Sequence, residues 1–457
     1  FGTSALAILA LFASLSAAVA TVVFAATRED CGLVPAALAG ALLLLLPLTQ
    51  EFGHMVMTEM PQALWCTLAV LQFGRFLDEE RARSALGFAF FSVLAILTKG
   101  NGIFLALVPP LAIGLSGRWH LLKRPALWLS GLAVGVCCAP WYWFTLNISR
   151  TTWGAGASPT WEYSKQALEF YGEQLWWLAG VTAGAVAILG LALRLIDTNG
   201  ARAGRWAAMI AWLPALMACN VILPTGVDAR HLLLIAPVWV AGWAAGAASI
   251  GAGLEWLGGA RGSATRRTGG ALVAIALLAV FCGERFERPR KDYRGFRAAA
   301  QTLQGDQSLS QSVFLVASDS KGEGLFVTAV ALGEERPGHV VLRASQVLSS
   351  SDWMGEGYQL QYTDTDSLAA FLQDLPVGIV AFDASTPPNH WTAHHDLLLE
   401  TLVDRPQAWV ELAPQEVVRD GQVHPAGLRL FRLVGHEGRR AALPDLEKLL
   451  GRKLPGF

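Results

Sequence analysis

Glu51, His54 and Glu59 fall within nine residues of one another in the stretch QEFGHMVMTEMP (50–61), a polar connection between two apolar runs. Two further connections carry Lys99, in TKGNG, and Arg230 with His231, in GVDARH (226–231). A carboxylate so placed can take the proton from an attacking hydroxyl or amine, an effect of roughly 10²- to 10⁴-fold in rate. Lysine and arginine can neutralise a departing phosphate, arginine through two donors at once. Together these side chains suit the transfer of a group away from a phosphate. Ionisable residues beside so much hydrocarbon are a functional-site hypothesis by default, since an unpaired ammonium in lipid costs on the order of 2.5–3.5 kcal/mol and a phosphate partner would offset that. Plainer readings stand beside this one: the acids keep helix ends in water, and Lys99 snorkels at the end of a helix.

The elements that must position these groups are membrane spans. Of 457 residues 53% are hydrophobic and only 16% charged, and the mean hydropathy is +0.41, which is too apolar for a soluble protein of this length. Apolar windows long enough to read as spans number about ten: 3–27, 33–49, 60–77, 85–98, 102–117, 126–146, 173–196, 206–224, 230–250 and 269–286. Every second connection is basic, with Arg28; Arg75, Arg81 and Arg83; Arg118, Lys123 and Arg124; Arg194, Arg202 and Arg205; and Arg261, Arg266 and Arg267. The positive-inside rule makes these cytoplasmic and puts 50–61, Lys99, the loop 147–172, Arg230 and the C-terminal region outside. It also puts Phe1 outside, so an odd number of spans, most simply one, is expected to precede it. The loop 147–172 carries Trp153, Trp161, Tyr163, Phe170 and Tyr171. It predicts a short interfacial helix over 161–171, either an aromatic belt or a wall for a lipid substrate.

From 287 onward the pattern changes to short apolar runs (VFLVAS at 313–318, 340–343, GIVAF at 378–382, 409–412, 428–433) alternating with helical periodicity at 366–375 and 391–403. This predicts an α/β domain over 287–457, following a multi-pass helical module over 1–286. Gly322 and Gly324 follow the first strand but lack the third glycine of a dinucleotide fingerprint. His390, His394 and His395 in NHWTAHHD include an i, i+4 pair that could bind a metal, and an exposed helix start explains them as well. The six cysteines lie in or beside apolar runs and suggest neither a disulfide framework nor a metal cluster. A formal net charge of −1 gives no electrostatic case for nucleic acid.

The order FG, TEMPQALW, LAILTKGNGIFLALVPPLA, DARHLLLIAPVWVAGWA and a polar tail resembles the GT-C membrane glycosyltransferases. Within them it resembles the branch of the dolichyl-phosphate-mannose protein mannosyltransferases and the bacterial aminoarabinose lipid A transferase. The resemblance implies a transferase that moves a sugar from a polyprenyl-phosphate donor to a lipid, glycan or protein acceptor at the outer face of the cell membrane, with inversion. The C-terminal domain would then be extracytoplasmic, periplasmic in a Gram-negative cell. Glu59 matches an acidic position of the family, Lys99 its TKG lysine, and Arg230 with His231 an arginine–tyrosine pair. Glu51, His54, Lys99, Arg230 and His231 would bind substrate, and the family's principal base is expected upstream of residue 1, leaving Glu59 a supporting acid. No cofactor is indicated with certainty, and a divalent cation stays open. The rival is a transporter or flippase for a lipid-linked sugar, which would place ionisable sites near the bilayer midplane. Here the spans are nearly free of charge at their centres and the polar groups gather at one surface.

Overall fold

The computed structural model describes residues 5–53, 55–152, 160–197, 202–223, 226–257, 263–286, 293–310, 312–334, 338–351, 357–375 and 377–435. Two compact units divide the chain, in the main Leu6–Pro289 and Arg290–Phe457.

In the first unit every apolar window is helical: Ala5–Cys31, Leu33–Leu45, Glu59–Glu79, Ala82–Thr98, Gly100–Leu107 running into Val108–Ser116, Pro125–Thr152, Trp161–Ile196, Ala203–Ile222, Ala236–Leu257 and Ser263–Arg285. Hydrocarbon offers no partner for backbone N–H and C=O groups, so a helix, which pairs them internally, is what such a sequence can form there. Among the described residues five helices are long and apolar enough to cross a membrane alone, or six if a bent pair counts as one span. The other windows of the ten read from the sequence are helical but do not meet that measure by themselves. Leu33–Leu45, Ala82–Thr98 and Gly100–Ser116 are shorter apolar helices, and at ~1.5 Å per residue thirteen to seventeen residues rise only about 20–26 Å against a core of about 30 Å. Phe73, Phe76, Phe104, Trp212 and Trp243 fill the centre and are fully buried. Gly190 lets two helices touch by backbone: a Cβ there would lie 2.0 Å from the Gly242 carbonyl oxygen and 2.4 Å from Gly246 N, the small-residue contact typical of membrane helices.

Charged groups collect at the two ends of Glu59–Glu79. At its C-terminal end Asp78 accepts hydrogen bonds from the backbone N–H groups of Gly204 (2.8 Å) and Arg205 (3.1 Å), capping the helix Ala203–Ile222, and pairs with Arg118 at 3.2 Å. Arg202 pairs with Asp30 at 2.6 Å beside it. Four of the basic connections, those around Arg28, Arg75 to Arg83, Arg118 and Arg202, thus lie at one end of the unit, while Arg261 lies outside the described residues and nothing is described of the side chains of Arg266 and Arg267. Glu59 begins the same helix, about 28 Å away at ~1.5 Å per residue, close to the depth of a bilayer core.

The expected span 173–196 is broken. Trp161–Leu178 and Gly180–Ile196 meet at 99°, with Gly180 at φ 77°, ψ 166°, a region that only glycine occupies readily. Trp161–Leu178 turns Ala167, Tyr171 and Leu178 inward, while Trp161, Leu168, Trp176 and Trp177 are exposed, an arrangement that suits a helix lying along a membrane surface. Trp153, in the stretch 153–159, lies outside the described residues. Gly180→Ala is expected to destabilise this unit by about 1–3 kcal/mol, because its Cβ would also stand 3.3 Å from Arg285 Cγ. An unfolding curve in detergent that superimposes on the wild type would disprove it.

The second unit is a sheet of order β2-β1-β5-β8-β6, with β7 also on β8. The strands are β1 (Val313–Ala317), β2 (Val340–Arg343), β5 (Val377–Asp383), β6 (Trp409–Glu411), β7 (Gln415–Arg419) and β8 (Gln422–Leu433), with a separate two-stranded pair of β3 (Ser349–Ser350) and β4 (Gln359–Leu360). β1 is parallel to β2 and β5, and β8 is antiparallel to β5, β6 and β7. Side chains alternate between two cores. Leu315, Ala317, Val380 and Phe382 pack with Leu368, Leu372, Leu398 and Leu402, and Phe314, Val316, Ile379 and Ala381 pack with Phe296, Ala300, Phe326 and Val330. Strands buried on both faces read as continuous apolar runs, which is why β1 and β5 are visible in the sequence and the polar QEVVR of β7 is not.

At the carboxyl ends of β1 and β5, where open α/β sheets hold ligands, Arg419 of β7 fills the space. It is 3% exposed, with Nη1 2.7 Å from Asp319 and Nη2 2.6 Å from Asp383. Nη1 also donates to the Tyr293 hydroxyl at 2.7 Å and Nε to the Ser385 hydroxyl at 3.2 Å. Burial pushes the Asp319 carboxyl up, but the Gly322 N–H and the Arg419 guanidinium outweigh it and hold it below the ordinary carboxylate range. Gly322 thus belongs to the capped start of the helix Ser320–Gly333, where its N–H donates to the Asp319 carboxylate at 2.7 Å.

His394 and His395 are buried rather than exposed, stacked with ring centroids 4.3 Å apart. His390 ends a separate turn, Pro388–His390, outside the helix Ala393–Val403, so the i, i+4 metal pair does not form on one helix. Burial drives both imidazoles toward the neutral form, His394 down to about 4. Between an unfolded value near 6.5 and that folded value the unfolded chain takes up a proton that the folded one refuses. Stability of this unit therefore falls as pH drops from about 6.5 to 4, by on the order of 3 kcal/mol for His394 alone. Amide exchange in β5, corrected for its intrinsic pH dependence, should accelerate across that window; a flat profile would contradict this.

Candidate active site

Glu59 is the first residue of Glu59–Glu79, and Lys99 follows the last residue of Ala82–Thr98. A carboxylate at a helix N-terminus and an ammonium at a helix C-terminus both complement the helix dipole, and the antiparallel packing of these two helices brings the charges together. Gly100 and Gly102 in TKGNG are poor helix formers, so the helix stops and Lys99 is left extended (φ −158°, ψ 134°). Lys99 Nζ lies 2.7 Å from Glu59 Oε1. Arg230 enters from the turn Ala229–Ile235, with Nε 3.8 Å from the same Glu59 oxygen and 3.1 Å from Asp228 Oδ2. Nε is aligned for a hydrogen bond to neither carboxylate, and Glu59 Oε2 is buried without a partner.

The side chain of Glu59 is 3% exposed, against 26% for Lys99 and 33% for Arg230. Two cations thus face outward over a carboxylate that holds them side by side, a geometry that can receive an anion with two or more oxygens. Beneath them Gln62 donates through Nε2 to Asn101 Oδ1 (2.7 Å) and the Lys99 carbonyl (3.0 Å), which pins the TKGNG turn. His231 is buried, and its Nδ1 lies 2.8 Å from the Tyr171 hydroxyl.

Of the residues singled out from the sequence, Glu59, Lys99 and Arg230 converge, with His231 adjacent to Arg230 in the same turn. Glu51 is exposed on the short helix Pro47–Phe52 and is not bonded to this group. His54 lies outside the described residues. Gln62, Asn101 and Asp228 were not singled out. Gln62 was detectable, since it stands three residues after Glu59 and so shares its helix face. Asp228 was detectable as the residue that caps the turn carrying Arg230, accepting from the Arg230 N–H at 2.9 Å. Among the described residues no group of three His, Cys, Asp or Glu side chains that could hold a metal ion is present.

Residues 1–144 match the family of dolichyl-phosphate-mannose-protein mannosyltransferases. No curated protein matches the chain at a significant level. Among solved structures the chain is similar to ArnT from Cupriavidus metallidurans in the apo state, with a TM-score of 0.55 at 15% identity over 95% of this chain and 84% of that one. It is also similar to ArnT from the same organism bound to undecaprenyl phosphate, with a TM-score of 0.52 at 14% identity over 95% and 85% of the two chains. The chain has the GT-C fold. In this GT-C fold the Glu59, Lys99 and Arg230 cluster occupies the end of the helical unit opposite the arginine-rich connections, and the α/β unit follows the last helix in sequence. The likeness extends over nearly the whole chain, beyond the 144 residues that match by sequence.

Proposed function

We propose that this membrane protein is a glycosyltransferase that moves a sugar from a polyprenyl-phosphate carrier to a lipid, glycan or protein acceptor at the outer face. The observation that carries the reading is the convergence of Lys99 and Arg230 on buried Glu59, at the helix end away from the basic connections that the positive-inside rule assigns to the cytoplasm. The likeness of the fold to an ArnT bound to undecaprenyl phosphate supports a phosphate as the anion. In the reaction an acceptor oxygen or nitrogen forms a bond to the anomeric carbon while the bond from that carbon to the phosphate oxygen breaks. The acceptor's proton passes to a carboxylate base, and the polyprenyl phosphate departs with the bonding pair.

Lys99 and Arg230 take up the negative charge that develops on the departing oxygen, where preorganised donors are worth roughly 10²- to 10³-fold in rate. Glu59 is the supporting acid that keeps both cations in place before the phosphate arrives. The exposed tryptophans of Trp161–Leu178 would border the lipid entrance. The full-length protein in lipid nanodiscs should bind undecaprenyl phosphate and not undecaprenol, and should turn over a polyprenyl-phosphate sugar to a covalent product. Movement of the intact donor across the bilayer without such a product would instead identify a flippase.

A further inference from the structure

Arg230 stands on an irregular turn, and something must hold it over Glu59. Asp228 cannot do so alone, since it is on the same turn and moves with it. The anchor from outside comes from Trp161–Leu178. The Tyr171 hydroxyl, fully buried, lies 2.8 Å from His231 Nδ1 and 3.3 Å from the Gly226 carbonyl, and accepts from the Asp228 N–H at 3.4 Å. One oxygen thus reaches three points of the six-residue stretch 226–231 that carries Arg230.

The hydroxyl has a single proton. If it goes to Nδ1, the shortest of these contacts, His231 carries its own proton on Nε2. If it goes to Gly226, His231 keeps its proton on Nδ1 and donates it to the tyrosine oxygen. Both arrangements tie the loop to the same atom.

We infer that Tyr171 is the positioning residue for Arg230: it locks the 226–231 turn through its hydroxyl so that the guanidinium is preset beside Lys99 for a carrier phosphate. This rests on the phosphate reading above. Tyr171 itself does not touch the phosphate. It is fully buried, and its effect must pass through Arg230 and not through Lys99, whose placement depends on Gln62 and Glu59.

The test is a set of coupled variants of the full-length protein in nanodiscs, titrated with undecaprenyl phosphate. Tyr171→Phe keeps the ring and deletes only the hydroxyl, and should weaken binding about tenfold or more, as loss of buried hydrogen bonds does. In an Arg230→Gln background the same change should weaken binding by less than about twofold, whereas in a Lys99→Gln background its full effect should persist. Equal effects in both backgrounds, or wild-type affinity for Tyr171→Phe, would overturn the inference. If Tyr171→Phe does not fold, His231→Phe, which deletes the shortest of the three contacts, should show the same dependence on Arg230; its absence would overturn the inference too. Wild-type affinity in both Arg230→Gln and Lys99→Gln would instead remove the phosphate reading, and the role of Tyr171 with it. Loss in those two with an additive Tyr171→Phe leaves the phosphate reading standing and sinks this inference alone.

Discussion

Lys99→Ala is expected to lower the affinity for undecaprenyl phosphate and the rate of sugar transfer by about a hundredfold or more, the scale on which a charge-assisted donor to a departing oxygen is lost. The variant carries a second consequence. Glu59 is 3% exposed and meets Lys99 at 2.7 Å, and removing one member of a buried pair destabilises by about 3–5 kcal/mol because the other charge stays behind. Arg230, at 3.8 Å, compensates for part of this. Lost activity in Lys99→Ala alone would therefore mix two causes. The double variant Lys99→Met with Glu59→Gln separates them: it should recover most of the thermal stability in detergent and none of the phosphate affinity. Recovery of both would assign Lys99 a structural role and refute its place at the phosphate.

Arg419→Ala is the corresponding experiment in the α/β unit and should remove a large part of that unit's stability, making it markedly more open to protease. The guanidinium is 3% exposed and lies between two buried carboxylates, Asp319 at 2.7 Å and Asp383 at 2.6 Å. Without it two like charges face each other in a low dielectric, again a loss of about 3–5 kcal/mol from a domain whose total stability is of the order of 5–15 kcal/mol. Replacing the whole cluster, Arg419→Met with Asp319→Asn and Asp383→Asn, should restore much of it. Protease resistance of 293–435 separates the outcomes. In the wild type the depressed Asp319 contributes stability above its unfolded value, and that contribution is lost as pH falls through its folded value. In Arg419→Ala the sign reverses, since protonation relieves the repulsion. If Arg419→Ala resists protease as the wild type does, the cluster is not what holds the sheet ends together.

Much of the helical unit was legible because hydropathy and backbone satisfaction are local. A run such as LAILALFASLSAAVATVVFAA has one stable conformation in hydrocarbon, and it forms the helix Ala5–Cys31. The strands β1 and β5 were legible for the same kind of reason, being apolar on both faces. Where the expectation failed, a single backbone conformation or a long-range partner decided. One glycine at φ 77° bent the expected span at 173–196, and nothing around Gly180 in sequence distinguishes it from the other glycines of the helices. For His394 and His395 an exposed helix start was one of the open readings, yet His395 packs against Trp391 and Phe382, and His394 against Tyr358 and His395.

By itself the sequence determined which segments are helices in an apolar medium, that an α/β region follows them, and which few residues carry ionisable groups in the connections. Those properties depend on each segment's own composition. Only the tertiary structure decided that Glu59 meets Lys99 from forty residues away and Arg230 from far beyond that, that Tyr171 holds the arginine's turn, and that Arg419 fills the sheet's ligand mouth. Such meetings depend on how helices pack and where loops close, and many packings are compatible with one local pattern until every side chain has its neighbours.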